Sequence, residues 1–241
     1  MSYGKYLIAD LKVEMEVNGE MLRSRSEKYR AEFDSEPDII IIPAKENLDR
    51  MQSEHPRLHP DAVEYLGTGC MFYYKLLKFG GFMLHSSTIS YDGKAYIFTA
   101  DSGTGKSTHT SLWRQYIDGV EMINDDKPAM KLIDGRFYAV GTPWSGKTDQ
   151  NADVSVPVGG VVLLHRGTEN TIRPATPLES IPFLMRQTQV PSRSENVDIL
   201  TDLLDKFIRE TPIYILECDM SEDAVKTSFE ALTGKEYRKR N

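Results

Sequence analysis

AYIFTADSGTGKSTHTSLW, residues 95–113, is the stretch that decides the fold. It opens with an apolar run of β-forming residues, continues through a loop of small residues, and ends in a segment able to form a helix from Lys106 onward. A glycine-rich loop between a strand and a helix turns backbone N–H groups toward a phosphate, and the helix N-terminus adds partial positive charge. The stretch therefore predicts a phosphate-binding loop.

The loop matches the pattern G-x-x-x-x-G-K-[ST] at every position except the first glycine, where Ala100 stands. Alanine fits there if its φ stays negative, and we expect Gly103 and Gly105 to make the close approach to phosphate instead. A glycine-rich turn that binds nothing is the alternative. Lys106 argues against that alternative, because a cation in the first turn opposes the helix dipole and gives a purely structural helix no benefit.

Such a loop implies ATP or another nucleoside triphosphate, together with Mg²⁺. The ammonium of Lys106 can reach the β- and γ-phosphates, and the hydroxyl of Ser107 can bind the metal. The residues predicted to bind the nucleotide are Asp101, Ser102, Gly103, Thr104, Gly105, Lys106, Ser107 and Thr108.

Two adjacent carboxylates, Asp125 and Asp126, follow a predicted strand at residues 120–124. Open α/β sheets place their ligand at the carboxyl ends of strands. Since Mg²⁺ takes one or two protein oxygens besides phosphate and water, we predict Ser107 and Asp125 as its ligands. Asp126 is the candidate base for an acceptor hydroxyl. The sequence alone does not decide which carboxylate has which task, and a solvated turn is the alternative.

His85 is the third predicted catalytic residue, beside Asp126 and Lys106. It lies in FMLHSSTIS, residues 82–90, which predicts a strand, and Asp92-Gly93 then predicts a hairpin turn. The strand bearing His85 should therefore pair antiparallel with the strand that enters the phosphate loop. A histidine there can stabilise phosphate charge or relay a proton, although a lone histidine on a strand is more often structural.

Four further side chains are candidates by residue type. Trp144 and Lys147, in GTPWSGK at residues 141–147, could contact nucleotide or substrate, the alternative being a packed Trp and a surface Lys. Arg166 and Arg186 could stabilise charge in a transition state, the alternative being ordinary surface side chains.

Composition excludes several classes of protein. The chain has 241 residues, 29 Lys and Arg against 36 Asp and Glu, and a formal charge of −7. Because phosphate backbones demand clustered basic residues, nucleic acid is not an expected partner.

Neither a secretory signal nor a membrane-spanning run is evident, so we expect no membrane partner and a cytoplasmic location. Cys70 and Cys218 form no metal-binding or disulfide pattern and are expected to be buried.

Apolar periodicity predicts the remaining elements. Before the phosphate loop we expect one or two strands in residues 5–17, a hairpin turn at residues 17–20, a strand at 38–42, a helix at 44–52, and an interrupted helix from 61 to 77. After the loop we expect a hairpin over 131–140, a strand at 158–164, a helix opened by a capping box at Thr176, a helix at 197–208, a strand at 212–216 and a final helix at 221–232.

Taken in order, His85, the loop at residues 100–107 and the pair Asp125-Asp126 resemble the catalytic domain of HPr kinase/phosphorylase. The loop and the acidic pair are also similar to ATP-dependent phosphoenolpyruvate carboxykinase, and the chain looks most like small kinase-like relatives found beside peptide-modification genes. The resemblance spans roughly residues 85–164, and Thr108 stands where the kinase family usually has Glu. It implies that Lys106 binds phosphate, Ser107 binds Mg²⁺, Asp126 acts as base and His85 assists.

The expected fold is α/β: an HPr kinase/carboxykinase-type P-loop domain, residues 81–241, with a mixed β-sheet and flanking helices. A small N-terminal α/β region of unknown role, residues 1–80, precedes it. The expected activity is ATP- and Mg²⁺-dependent transfer of a phosphoryl group to a hydroxyl of an unidentified protein, peptide or small molecule. A nucleotide-binding regulatory module with slow NTPase activity and a carboxykinase-like chemistry are the alternatives, and the sequence leaves homo-oligomerisation open.

Overall fold

A computed structural model describes residues 3–240 as a mixed α/β protein with two sheets. The helices are α1 (Glu20–Ser26), α2 (Lys45–Glu54), α3 (Pro60–Leu76), α4 (Lys106–Tyr116), α5 (Pro177–Arg186), α6 (Ser194–Glu210) and α7 (Glu222–Thr233). The strands are β1 (Tyr3–Ile8), β2 (Leu11–Glu16), β3 (Ile39–Ile41), β4 (Gly81–Met83), β5 (Ser87–Tyr91), β6 (Lys94–Thr99), β7 (Glu121–Asn124), β8 (Ala129–Ile133), β9 (Arg136–Val140), β10 (Ser155–Arg166), β11 (Thr171–Pro174) and β12 (Ile213–Cys218).

The small sheet has the order β1-β2-β3, with β2 antiparallel to β1 and parallel to β3. The turn between β1 and β2 is formed by Ala9 and Asp10, both with positive φ. The hairpin turn predicted at residues 17–20 is therefore wrong. Asn18 and Gly19 instead enter α1, where their backbone N–H groups donate to the buried carboxylate of Glu64 at 2.8 and 2.5 Å.

The large sheet follows the order β4-β8-β9-β10-β6-β5-β7, and β12 pairs with β10 and β11. Strand β10 is parallel to β6 and β12, whereas its first residues are antiparallel to β9. The mixed sheet with flanking helices agrees with the predicted fold class. The antiparallel pairing of β5 with β6 across Asp92-Gly93 is confirmed.

Helices cover both faces of the large sheet. On one face, α5 and α6 bury Phe183 and Phe207 against sheet residues such as Phe82 and Phe137. On the other face, α4 and α7 pack through a cluster that includes Trp113, Phe229 and Phe98. This second cluster fixes α4 directly behind the predicted phosphate loop, because Trp113 is fully buried two turns into that helix.

A third cluster joins the small sheet and α3 to the large sheet. It contains Tyr73 and Leu76 from α3 together with Ala129, Val140 and Trp144. Residues from both sides of position 80 thus share one core. The division of the chain into regions 1–80 and 81–241 stays a prediction.

Helix α3 runs unbroken through Gly67 and Gly69, contrary to the interruption expected from these glycines. A Cβ on Gly69 would lie 2.8 Å from Cδ1 of Trp144, and one on Gly67 would lie 3.0 Å from Cδ2 of Leu48. The glycines therefore allow close packing and do not end the helix.

The structure corrects two other expectations, the burial of Cys70 and the single strand at residues 82–90. Cys70 is exposed, whereas Cys218 is buried as predicted. The single strand predicted for residues 82–90 is two strands, β4 and β5, because residues 84–86 leave the sheet. No helix within residues 3–240 is both long enough and apolar enough to span a membrane.

Candidate functional site

The predicted phosphate loop connects the end of β6 to the start of α4. Gly103 and Gly105 have φ of 78° and 125°, a region in which a Cβ is strained, so both positions require glycine. Ala100 is fully buried and keeps a negative φ, which explains how alanine replaces the first glycine of the pattern.

Lys106 lies beneath this loop and is 7% exposed. Its Nζ atom donates to the carbonyl oxygen of Ala100 at 2.9 Å. Burial lowers the pKa of this ammonium, while the carboxylates of Asp126, Asp101 and Asp125 act in the opposite direction. The structure thus places Lys106 close enough to all three predicted acidic residues for their negative charges to raise its pKa.

Arg166, at the end of β10, holds the loop from outside. Its guanidinium donates to the carbonyl oxygens of Gly103 at 2.6 Å and Thr104 at 3.0 Å. Two loop carbonyls are therefore fixed toward a cation. Arg186 is not brought to the loop, because its guanidinium lies over the ring of Phe183 and donates to the carbonyl of Pro182.

His85 lies in the gap between β4 and β5 and contacts Asp126. Its Nε2 atom is 3.3 Å from Oδ1 of Asp126, and the ammonium of Lys127 contacts Oδ2 of the same carboxylate. Burial alone would raise the pKa of Asp126, but the hydrogen bond from His85 and the charge of Lys127 lower it to about 2. Asp126 is therefore a carboxylate that stays ionised at neutral pH.

Gln187, at the C-terminal end of α5, joins His85 to the phosphate loop. Its Nε2 donates to Oδ1 of Asp101 at 3.0 Å, so its Oε1 faces Nδ1 of His85, 3.1 Å away. Nδ1 of His85 must then carry a proton, which it donates to Gln187. Gln187 therefore fixes the orientation of the imidazole whose Nε2 atom contacts Asp126.

Sequence reasoning missed Gln187, and no local signal identifies it. The capping box at Thr176 predicts the start of α5 and is present in the structure. However, the contact between Gln187 and His85 spans 102 positions of the chain. The end of a helix becomes part of a site only through the packing of α5 on the sheet.

The turn after β7 is shaped by Asn124. Its Oδ1 accepts the backbone N–H groups of Asp126 and Lys127 at 2.9 and 2.8 Å, and its amide donates to the carbonyl of Thr142 at 3.0 Å. Asn124 itself is fully buried, whereas Asp125 and Asp126 are half-buried. The two carboxylates consequently leave the strand in fixed and different directions.

Asp125 is connected to α4 by hydrogen bonds through Ser87 and Thr110, two residues that the sequence analysis did not identify. Its Oδ1 accepts from the hydroxyl of Ser87 at 2.6 Å, and Ser87 also contacts the hydroxyl of Thr110, 2.6 Å away in α4. Its Oδ2 accepts from Thr148 at 3.3 Å. Asp125 therefore faces the helix that begins with Lys106 and Ser107.

Oxygen donors suited to Mg²⁺ are present on Ser107 at the start of α4 and on Asp125 after β7. Ser107 is exposed in the first turn of α4, and each oxygen of Asp125 retains a lone pair beyond its hydrogen bond. Across residues 3–240, His, Cys, Asp and Glu side chains form no group of three or more that could hold a metal ion. A hydroxyl and a carboxylate fit Mg²⁺, which completes its shell with water and phosphate.

Trp144 does not reach a ligand site. It is 1% exposed and stacks on Phe72 with ring centroids 4.9 Å apart. Of the two alternatives left open for Trp144, the structure shows the packed tryptophan, because the ring fills the core between α3 and the large sheet. Lys147 is exposed in the same loop.

Comparisons with known proteins give a distant likeness. No protein-family profile matches this sequence, and no curated protein matches it. Among solved structures, the Hpr(Ser) kinase/phosphatase from Coxiella burnetii is similar over 63% of this chain and 93% of its own, with 15% sequence identity and a TM-score of 0.33. At that degree of superposition the likeness says nothing about the activity of this chain.

Proposed function

We propose that the protein is an ATP- and Mg²⁺-dependent phosphotransferase that acts on a hydroxyl of a protein, a peptide or a small molecule. The observation that carries the proposal is the position of Asp126. This ionised carboxylate is hydrogen-bonded to His85 and lies close enough to Lys106 to influence its pKa. A phosphate loop, a buried lysine and a positioned carboxylate are the parts that phosphoryl transfer needs.

The loop supports phosphate binding through its backbone. Arg166 donates hydrogen bonds to the carbonyl oxygens of Gly103 and Thr104. The first turn of α4 presents N–H groups that have no partner within the helix, as every helix N-terminus does. The ammonium of Lys106 is already desolvated beneath the loop, so its charge acts strongly on a bound phosphate.

Ser107 and Asp125 would hold the metal ion. When bound, Mg²⁺ supplies neutralisation of the charge that develops on the phosphate oxygens. The contacts of Ser87 and Thr148 fix the carboxylate of Asp125, which limits the reorganisation that metal binding would require.

Asp126 orients the acceptor and takes its proton. The acceptor hydroxyl donates a hydrogen bond to Asp126, and its oxygen bonds to the γ-phosphorus while the bond from that phosphorus to the leaving oxygen of the diphosphate breaks. The hydroxyl proton passes to Asp126. Because the pKa of Asp126 is about 2, this transfer occurs late, when the hydroxyl oxygen has lost electron density to phosphorus.

The test measures nucleotide binding and phosphoryl transfer separately. We expect Lys106→Ala to weaken ATP binding and to abolish turnover, whereas Lys94→Ala, an exposed lysine at the other end of β6, should change neither. Asp126→Asn should keep ATP binding and lose transfer of label from γ-labelled ATP to any acceptor. Equal binding of ATP by the wild type and Lys106→Ala would overturn the proposal. Equal ATP hydrolysis by the wild type and Asp126→Asn, with no acceptor labelled, would favour the regulatory module.

A further inference from the structure

Lys127, which follows the proposed base Asp126, has a fixed backbone. Its N–H donates to Oδ1 of Asn124 at 2.8 Å, and its carbonyl oxygen accepts from the hydroxyls of Tyr73 and Thr142. These three partners are all buried. The side chain of Lys127 therefore starts from a fixed point of the core, unlike that of an ordinary surface lysine.

The ammonium of Lys127 has unused hydrogen-bond donors. Its Nζ atom contacts Oδ2 of Asp126, and within residues 3–240 this is the one hydrogen bond that it makes. An ammonium carries three N–H groups, so two remain for solvent or a ligand. The side chain is 29% exposed, against 20% for Asp126 and 31% for His85. Solvent therefore reaches all three groups.

The opening over Lys127 is bordered by segments from three parts of the chain. Burial raises the pKa of the Cys70 thiol and the charge of Lys127 acts in the opposite direction, so the ammonium lies near this exposed cysteine of α3. The amide of Gln189 donates to the carbonyl oxygen of Cys70 at 3.1 Å, which brings the segment after α5 to the same place. The third border is Gly146, since a Cβ placed on it would lie 3.2 Å from Cβ of Asp126.

We propose that Lys127 selects the acceptor: its ammonium binds a carboxylate that the acceptor carries beside its reactive hydroxyl. The inference rests on the proposed function and adds the chemical class of the acceptor. Because Nζ of Lys127 contacts the carboxylate of Asp126, which receives the hydroxyl proton, the two groups of the acceptor lie only a few ångströms apart. A serine or threonine next to an acidic residue in a peptide meets this condition, and so does a small hydroxy acid.

The charge balance during transfer favours such an acceptor. As the hydroxyl proton passes to Asp126, the ammonium of Lys127 loses its counter-charge while it is still partly buried. A buried charge without a partner is costly, and a carboxylate on the acceptor replaces the lost partner. A site whose polar groups are left unpaired by an analogue rejects that analogue. Neutral acceptors should therefore be phosphorylated more slowly than acidic ones.

The experiment compares acceptors that differ in a single type of group. One pair consists of two pools of synthetic peptides in which a central serine or threonine is flanked by glutamate or by glutamine. The other pair is glycerate and its uncharged amide, so the two pairs distinguish a peptide from a small molecule. Transfer of label from γ-labelled ATP is measured for each compound.

We expect the wild type to label the acidic member of one pair about tenfold faster or more. Lys127→Met should lose this preference, whereas Lys127→Arg keeps the charge and should keep most of it. The affinity for ATP, measured by titration calorimetry, should be the same in all three proteins. Lys78→Met removes an exposed lysine just after α3 and should change neither the preference nor the affinity.

A second arm needs no substitution and serves if Lys127→Met does not fold in a thermal melt. Iodoacetate converts the exposed Cys70 to a carboxylate-bearing side chain beside Lys127, and iodoacetamide adds a neutral group of the same size, while Cys218 is buried. We expect the protein treated with iodoacetate to lose the preference for the acidic acceptor and the protein treated with iodoacetamide to keep it.

The contrary outcomes separate the two proposals. Equal labelling of acidic and neutral members by the wild type, or a preference that persists in Lys127→Met, would overturn the role of Lys127 alone. The same holds if the wild type binds ATP but labels no member of either pair. Failure of the wild type to bind ATP would overturn the proposed function, and the role of Lys127 with it.

Discussion

Nε2 of His85 lies 3.3 Å from Oδ1 of Asp126, and the carboxylate is 20% exposed. This contact joins a residue in the gap between two strands to the turn after a third strand. It sets the charge of the carboxylate, because the hydrogen bond and the neighbouring ammonium of Lys127 together outweigh the effect of burial on its pKa.

Acid stability should report the depressed pKa of Asp126. The folded value is about 2 against 3.8 for the free side chain, so the stabilisation is complete above pH 3.8 and is lost as the pH falls through about 2. The shift corresponds to about 2 kcal/mol. Asp126→Asn should therefore flatten the dependence of unfolding free energy on pH between about 4 and 2, measured by urea titration at each pH. Parallel curves for the wild type and the variant would contradict the pairing with His85.

Gln187 should act as a positioning residue for His85. In Gln187→Leu, Nδ1 of His85 and Oδ1 of Asp101 both lose their partner, so the imidazole is no longer held against Asp126. We expect turnover to fall about tenfold, since removal of a residue that orients a reacting group typically costs this much or more. The affinity for ATP should stay the same, so that kcat falls while KM for ATP does not change. Gln189→Leu, two residues further along, is the control. A change in ATP affinity matching the loss of turnover would point to a general structural defect.

The local parts of the site could be predicted from the sequence. The strand, loop and helix of residues 95–113, the turn at Asp92-Gly93 and the carboxylates after β7 all depend on residues close together in the chain. The positions of these elements along the chain follow from backbone preferences and from the periodicity of apolar side chains, and both can be read from the sequence.

The parts that join distant segments could not be predicted. The contact of Gln187 with His85 spans 102 positions and that of Arg25 with Gly146 spans 121. A strong local signal also misled: Asn18-Gly19 is a common hairpin turn, but the buried Glu64 binds its N–H groups and sends the chain into α1. Tertiary contacts of this kind override local preference.

Arg166 should be needed for the shape of the loop, and Arg186 should not. Arg166→Ala leaves the carbonyls of Gly103 and Thr104 without their cation, so the loop should bind both ATP and tripolyphosphate about tenfold more weakly. Arg186→Ala removes an exposed guanidinium that contacts Phe183 and Pro182 of its own helix, and the affinities of this variant should match those of the wild type. Titration calorimetry measures both. Equal affinities of Arg166→Ala and the wild type would exclude a role for this arginine in the loop.

Arg25 should couple the N-terminal region to the proposed metal site. Its guanidinium donates to the carbonyl of Gly146 at 2.7 Å and lies 4.7 Å from the ring centroid of Tyr65. It thereby holds the loop whose Thr148 donates to Asp125. Arg25→Ala should destabilise the fold by about 2 kcal/mol and raise the Mg²⁺ concentration needed for half-maximal turnover. Arg23→Ala removes an exposed ion pair with Glu20 and should change neither quantity measurably. An unchanged Mg²⁺ requirement in Arg25→Ala would limit this arginine to a structural role.

Close packing of α3 on Trp144 should make Gly69 sensitive to a single methyl group. The Cβ of Gly69→Ala would lie 2.8 Å from Cδ1 of Trp144, whose buried ring contacts the rings of Phe72 and Tyr73. We expect a loss of about 2 kcal/mol in the free energy of unfolding, as for other overpacked cores. Gly67→Ala is the matched control, because its Cβ would approach only the flexible end of Leu48, and the gain in helix propensity of about 1 kcal/mol should offset the contact. Thermal and urea denaturation of both variants measure the change in the free energy of unfolding. Equal stabilities would mean that the indole of Trp144 does not lie against α3.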